Sequence, residues 1–296
     1  MKLRSHLYCL ITILLWSTIE IVGKLIGDGI NPFAITAWRF ILGGLVLLPF
    51  GLRQAHSDKI RLTYSSILQI SALGILNVVC SMLLLQLAIY YGKASLAAII
   101  VSMNPLFVSI FGWLIINEKL TRYNVISLLI GFFGLVAILI SEPFKSDVEY
   151  SNVTLGILFA LLASVTFGLY TILSKKYIQK YGNFTTNSIA FLSGGVTLST
   201  INILIGKPML FSLGFVEITS LLYLGFLISG FAYVLYFESM RVLTASVASR
   251  YFFLKPAIAV FLASIVLKER VEFLQIIGII LVMLSLSRSF FEKPTR

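Results

Sequence analysis

Apolar residues in this chain run in unbroken stretches of about 20 between short polar breaks, with neither the alternation of a half-buried strand nor a helix with one polar face. Ten such stretches can be read, at about 7–26, 33–51, 66–90, 94–116, 124–141, 153–174, 186–206, 217–238, 244–267 and 272–290. Each is long enough to cross a hydrocarbon core of roughly 30 Å as a helix. Helices apolar on every side would leave a soluble protein no face for water. The pattern therefore predicts an all-α polytopic membrane protein of ten transmembrane helices. The longest polar stretches, 52–65, 142–152 and 175–185, are connectors, which leaves no room for a soluble domain.

The two halves of the chain match at a constant spacing of 151 residues. Lys24 pairs with Lys175, Gly43-Gly44 with Gly194-Gly195, and Leu73-Gly74 with Leu224-Gly225. Ala94-Ser95 pairs with Ala245-Ser246, Pro105 with Pro256, and Glu118 with Glu269. The unit is too long for a solenoid repeat. It divides the chain into a first five-helix repeat over 1–145 and a second over 146–296. A second copy that enters the bilayer after five crossings sits upside down relative to the first, the skeleton of many alternating-access transporters.

Composition supports the membrane reading: 58% of residues are hydrophobic and 12% charged, against about 25% charged in soluble proteins. The net charge of +11 would suggest nucleic acid in a soluble protein. Here the basic residues sort by side. Lys2, Arg4, Arg53, Lys59, Arg61, Lys175, Lys176, Lys180 and Arg241 fall on one face, while Lys93, Lys145 and Lys207 are among the fewer on the other. Positive residues in short loops stay in the cytoplasm. Both termini are thus expected inside, in the cytoplasmic membrane, with the acidic 142–149 linker outside. The first stretch follows Lys2 and Arg4 as a signal peptide would, but it is longer than a signal core, lacks a small-x-small cleavage site and contains Trp16 and Glu20, so it is expected to be retained. Cys9 and Cys80 are too few for a disulfide framework. No His–Cys cluster suggests a metal, no motif calls for a cofactor, and no aromatic-basic patch suggests nucleic acid. The expected partners are a small-molecule substrate and the lipid bilayer.

Pro105 and Pro256 fall near the middle of the fourth and ninth stretches. Each lacks an N–H and crowds the carbonyl four residues back, freeing that of Val101 or Phe252. Matched interruptions in two halves point to a transporter's binding site, with the prolines as hinges. Charges at membrane depth are costly and need a reason. Glu20, one turn after Trp16, is a candidate protonatable site or counter-ion, or else a member of an ion pair. Arg250 and Lys255, in the second copy where the first has Ile99 and Asn104, make the centre asymmetric and tilt it towards an anionic group on a substrate. Arg39 and Glu238 are expected at the interface, their side chains reaching for water. Asn77, Ser81, Asn104, Tyr170, Tyr233, Tyr236 and Tyr251 complete the candidate lining, because small-ligand pockets pair aromatic walls with a few polar groups. Glu118 and Glu269 read as structural, each expected to meet free N–H groups at the start of the helix that follows it.

The stretches ASLAAIIVSMNPLFVSIFGWLIINEKL (94–120) and ASVASRYFFLKPAIAVFLASIVLKERV (245–271), with Trp16-Ser17 and Trp38-Arg39-Phe40, resemble the EamA family, the ten-helix branch of the drug/metabolite transporter superfamily. The resemblance covers essentially the whole chain. It implies two inverted five-helix units around a cavity lined by spans one, three, four, six, eight and nine. It also implies carriage of amino acids, other metabolites or drugs, often outward. The expected function is a carrier, an exporter or exchanger of a small polar metabolite such as an amino acid or carboxylate, and not an enzyme. An intramembrane enzyme acting on a lipid, a drug efflux carrier of the same fold and a channel are the alternatives. The first lacks a convincing Ser-His or paired-carboxylate arrangement, and the last lacks a filter or a ring of like charges.

Overall fold

A computed structural model describes residues 2–26, 30–92, 94–141, 152–209, 214–258 and 273–291. Among these, every regular element is a helix, as a bilayer requires of a backbone that has no water to bond. Eight segments are long and apolar enough to span: Lys2–Gly23, Pro32–Ser57, Tyr64–Tyr91, Leu96–Ile116, Arg122–Ile140, Val153–Tyr181, Asn183–Leu204 and Phe215–Ser239. They match, in order, the first eight stretches read from the sequence. The ninth stretch is described only as far as residue 258, and a helix over Phe273–Phe291 occupies the place of the tenth. The acidic linker lies outside the described residues.

Helix starts are set by local chemistry. Asn31 accepts the N–H of Phe33 at 3.0 Å, one residue before Pro32 opens the second span. Thr63 and Ser66 form a reciprocal capping box on the third. Asn152 caps the sixth through Leu155 N–H at 3.0 Å, and Thr244 caps the ninth through Val247 N–H at 3.2 Å. A single residue, Gly182, turns the sixth span into the seventh with φ +78°, a conformation that favours glycine.

Glu118 departs from its expected place. Asn117 adopts a left-handed conformation, φ 52°, and the Glu118 N–H returns to Gly112 O at 3.0 Å. The chain thus folds back under the fourth span. The carboxylate accepts the N–H groups of Ala245 (3.0 Å) and Ser246 (3.3 Å) and the ammonium of Lys175 (2.6 Å). It therefore serves a helix start, but that of the ninth helix and not that of the fifth. Glu269 lies outside the described residues. Glu238 is partly exposed and pairs with Arg241 at 3.1 Å.

Close packing rests on small residues at helix crossings. A Cβ on Gly44 of the second span would lie 2.8 Å from Leu192 Cγ of the seventh, and one on Gly195 would lie 2.8 Å from Ile41 Cγ1. A Cβ on Gly43 would lie 2.9 Å from Ser229 Cβ of the eighth span, and one on Gly194 would lie 2.6 Å from Val78 Cγ2 of the third. Moving each partner by 151 positions turns the first contact of each set into the second. The fifth span and the Phe273–Phe291 helix follow the same rule. Gly134 abuts Gly278, and at the exchanged positions the Ser285 hydroxyl donates to Ser127 O at 2.7 Å.

The tightest crossing is at Gly74, where a Cβ would overlap the Ala190 carbonyl, a backbone group unable to move aside. Gly74→Ala is expected to lower unfolding stability by about 1–3 kcal/mol, read as the thermal midpoint of the detergent-solubilised protein. Gly230→Ala, whose Cβ would meet nothing closer than 3.4 Å, is expected to change it little.

Candidate functional site

Four helices are interrupted near mid-membrane. The third span widens into a π-helical turn at Val78–Met82 and the eighth at Leu224–Ala232. The fourth breaks between Ala94–Val101 and Asn104–Ile116, just before Pro105. The ninth tightens into a 3-10 turn at Arg250–Phe253, just before Pro256. Such irregularities release carbonyls from the helical ladder, and at membrane depth these need new donors.

The donors come from the first and sixth spans. Trp16 Nε1 donates to Ile228 O at 3.2 Å, and Thr12 Oγ1 donates to Ala232 O at 3.2 Å. On the other side, the Thr166 hydroxyl lies 2.7 Å from Cys80 O, sharing its one proton with Leu162 O of its own helix. The carbonyl that Pro105 frees, Val101 O, accepts from Ser164 Oγ at 3.5 Å, and Ser164 O accepts from Asn104 Nδ2 at 3.1 Å. The carbonyl expected to be freed at the fourth span thus finds its partner on the sixth.

An aromatic cluster fills the space between these interruptions. The Trp16 ring packs on Tyr233 (4.9 Å between centroids), Tyr236 (5.0 Å), Phe252 (5.4 Å) and Phe167 (5.8 Å). Tyr170 joins through Phe167 at 5.8 Å. Most of these contacts are tilted or edge-on, as aromatic quadrupoles prefer. Four of the rings read from the sequence, Trp16, Tyr170, Tyr233 and Tyr236, are therefore brought together. Phe167 and Phe252 complete the set.

Neutral polar atoms edge the cluster. Tyr233 OH reaches Asn77 Oδ1 at 3.5 Å. Asn77 Nδ2, Asn104 Oδ1 and Tyr236 OH are buried and meet no hydrogen-bond partner among the described residues. A buried polar atom left this way costs about 1–3 kcal/mol. Tyr170 OH continues into a chain on the seventh span: it donates to Asn187 Oδ1 (3.3 Å), Asn187 Nδ2 donates to Asn183 Oδ1 (2.7 Å), and Asn183 Nδ2 donates to Val234 O (2.9 Å). Asn183 and Asn187 were not among the residues singled out from the sequence: Asn183 falls in the polar connector and Asn187 at the very start of the seventh stretch.

The other candidates lie in other settings. Ser81 is buried and donates to Leu76 O of its own helix at 3.0 Å. Arg250 is fully buried and donates to Asn124 Oδ1 at the start of the fifth span, 2.8 Å away. Tyr251 meets His6 Nδ1 at 2.8 Å. Lys255 and Pro256 are buried beside the 3-10 turn. The side chain of Glu20 lies outside the described set. Arg39 corrects the interfacial expectation: it is 3% exposed, donates from Nε to Ser229 Oγ at 2.7 Å, and lies 5.1 Å from the Phe40 ring centroid. The widened turn of the eighth span carries the hydroxyl that holds the guanidinium inside the bundle.

Trp16→Phe keeps the ring contacts and strips the donor from Ile228 O. It is expected to cost about 1–3 kcal/mol in a denaturation series. Trp38→Phe, which removes a 3.0 Å bond to Met209 O at the partly hydrated end of the second span, is expected to cost less, because water can replace it.

Comparison with known proteins agrees with this architecture. The family model described as EamA-like transporter family matches residues 3–140 and 154–290. An uncharacterised transporter of Clostridium kluyveri is 32% identical over 283 residues, spanning 95% of this chain and 91% of its own. Another, of Bacillus subtilis, is 26% identical over 290 residues, spanning 96% of this chain and 91% of its own. A solved crystal structure with 19% identity superposes with a TM-score of 0.78 over 98% of both chains, which shows a common fold. The family match covers both halves and the Clostridium relative nearly the whole length: the chain is an integral membrane protein and belongs to the EamA-like transporter family.

Proposed function

We propose that this chain carries a small polar metabolite, such as an amino acid or carboxylate, across the cytoplasmic membrane by alternating access, as an exporter or exchanger. One observation carries the reading: Asn77, Asn104 and Tyr236 present buried, unpartnered polar atoms around an aromatic cluster, where four interrupted helices converge. In this account the chain is two inverted five-helix repeats, 1–145 and 146–296, that make ten spans with both termini in the cytoplasm. The exchanged glycine contacts support that division, as does a family match in two segments separated at the linker. The halves rock about the shared centre, with the turns before Pro105 and Pro256 as bending points. A second reading, efflux of an aromatic drug, is favoured by the ring cluster itself.

The test is counterflow in proteoliposomes against amino acids, carboxylates and aromatic cations. Asn77→Ala, Asn104→Ala and Tyr236→Phe are each expected to cut exchange of the accepted solute about tenfold, the equivalent of about 1.4 kcal/mol of lost contact. Asn31→Ala, which removes a bond to Asn202 at the bundle's end, is expected to leave exchange near the parent rate. Equal exchange in all four variants would remove the site from this centre. Exchange of aromatic cations alone would select the drug reading.

Glu20 adds a separate expectation about coupling. Glu20→Gln is expected to retain counterflow and to lose accumulation driven by a pH gradient, because a carboxyl in the span can carry the proton and an amide cannot. Accumulation that ignores the gradient in the parent protein would contradict this.

A further inference from the structure

The transport reading leaves Glu118 unused, yet its carboxylate ties three helices together. Oε1 takes the Lys175 ammonium from the sixth span and the Ala245 N–H from the ninth helix, and Oε2 takes the Ser246 N–H. Beneath it, the Ser109 and Ser246 hydroxyls meet at 2.8 Å, joining the fourth span to the ninth directly. All of these contacts close the end of the bundle at which the fourth and sixth spans finish and the ninth helix begins. They cross from one half of the sequence to the other.

Three features set this arrangement apart from a permanent brace. Thr244 already caps the ninth helix through the Val247 N–H, so that helix start has a cap of its own without Glu118. The paired side chains of Lys175 and Glu118 are 14% and 13% exposed, so the pair is not sealed inside the bundle. Two of the three helices joined here, the fourth and the ninth, also break further in, before Pro105 and Pro256. Segments below those breaks can swing only if what ties them at the end lets go.

We propose that Glu118 is a releasable latch: its carboxylate holds this end shut, and access from this side requires it to part from Lys175 and from the ninth helix. The inference rests on the alternating-access reading. Lys175 and Ala245-Ser246, which complete the latch, have counterparts of the same residue types 151 positions away in the sequence, as Glu118 does.

The test uses full-length protein with Cys9 and Cys80 replaced by serine, and one reporter cysteine at a time. Ser109→Cys reports on the latched end. Thr18→Cys, beside Tyr223 where the first and eighth spans meet at 2.8 Å, reports on the other. Labelling by a membrane-impermeant maleimide is followed in vesicles of both orientations, with thermal midpoints to confirm folding. Glu118→Gln and Lys175→Met are each expected to raise labelling at Ser109→Cys about tenfold, a shift of population towards the open end, while labelling at Thr18→Cys falls. Unchanged labelling at Ser109→Cys in both folded variants would overturn the latch, and the carrier reading would still stand on its counterflow. Labelling that rises at both ends together would overturn both the latch and alternating access, because the two ends would no longer exclude each other.

Discussion

A carbonyl freed from its helix inside a bilayer has no water to turn to, and this single constraint organises the molecule. Four helices are irregular near mid-membrane, and in three of them, the third, fourth and eighth, carbonyls at the irregular turns are met by side chains of the first and sixth spans: Trp16, Thr12, Thr166 and Ser164. The two donor helices occupy matching places in the two halves. They are therefore held against the interrupted helices by polar bonds as well as by packing. Bonds of that kind can be exchanged, whereas a continuous helical ladder cannot.

Around that centre the packing is unforgiving. Gly43, Gly74, Gly194 and Gly225 let the second, third, seventh and eighth spans approach until their backbones nearly touch. Small residues do the same for the fifth span and the helix that packs on it. The irregular turns before Pro105 and Pro256 contain no glycine at such a crossing. The buried cations conform to this division. Arg39 is held by Ser229 on the widened turn of the eighth span, and Arg250 by Asn124 on the fifth.

Much of this was legible in the sequence, because lipid imposes a simple rule on span length and because the anchors recur at one spacing. The spans, the paired glycines, the proline break and the Trp16–Tyr170–Tyr233–Tyr236 cluster all follow from such local or periodic signals. The π-helical turns did not show. Val78–Met82 contains neither proline nor glycine, and its widening depends on Thr166, which lies on another helix. Arg39 looked interfacial because its depth was judged along the chain, whereas its partner Ser229 is 190 residues away. Glu118 was read as serving the start of the helix that follows it, whereas it serves the start of the ninth. The identity of that helix depended on the left-handed turn at Asn117, which no residue pattern announced.

In the proposed mechanism the two halves move about a shared centre so that one end closes as the other opens. Paired spin labels measure this directly in nanodiscs. One pair, at Ile115 and Arg241, spans the end that Glu118 closes, and a second, at Tyr90 and Phe215, spans the opposite end; all four positions are exposed. Distances are read before and after addition of a solute that supports counterflow. The account requires two distance populations at each end whose weights shift in opposite directions. A single unchanged distance at both ends, or distances that widen at both together, would contradict it.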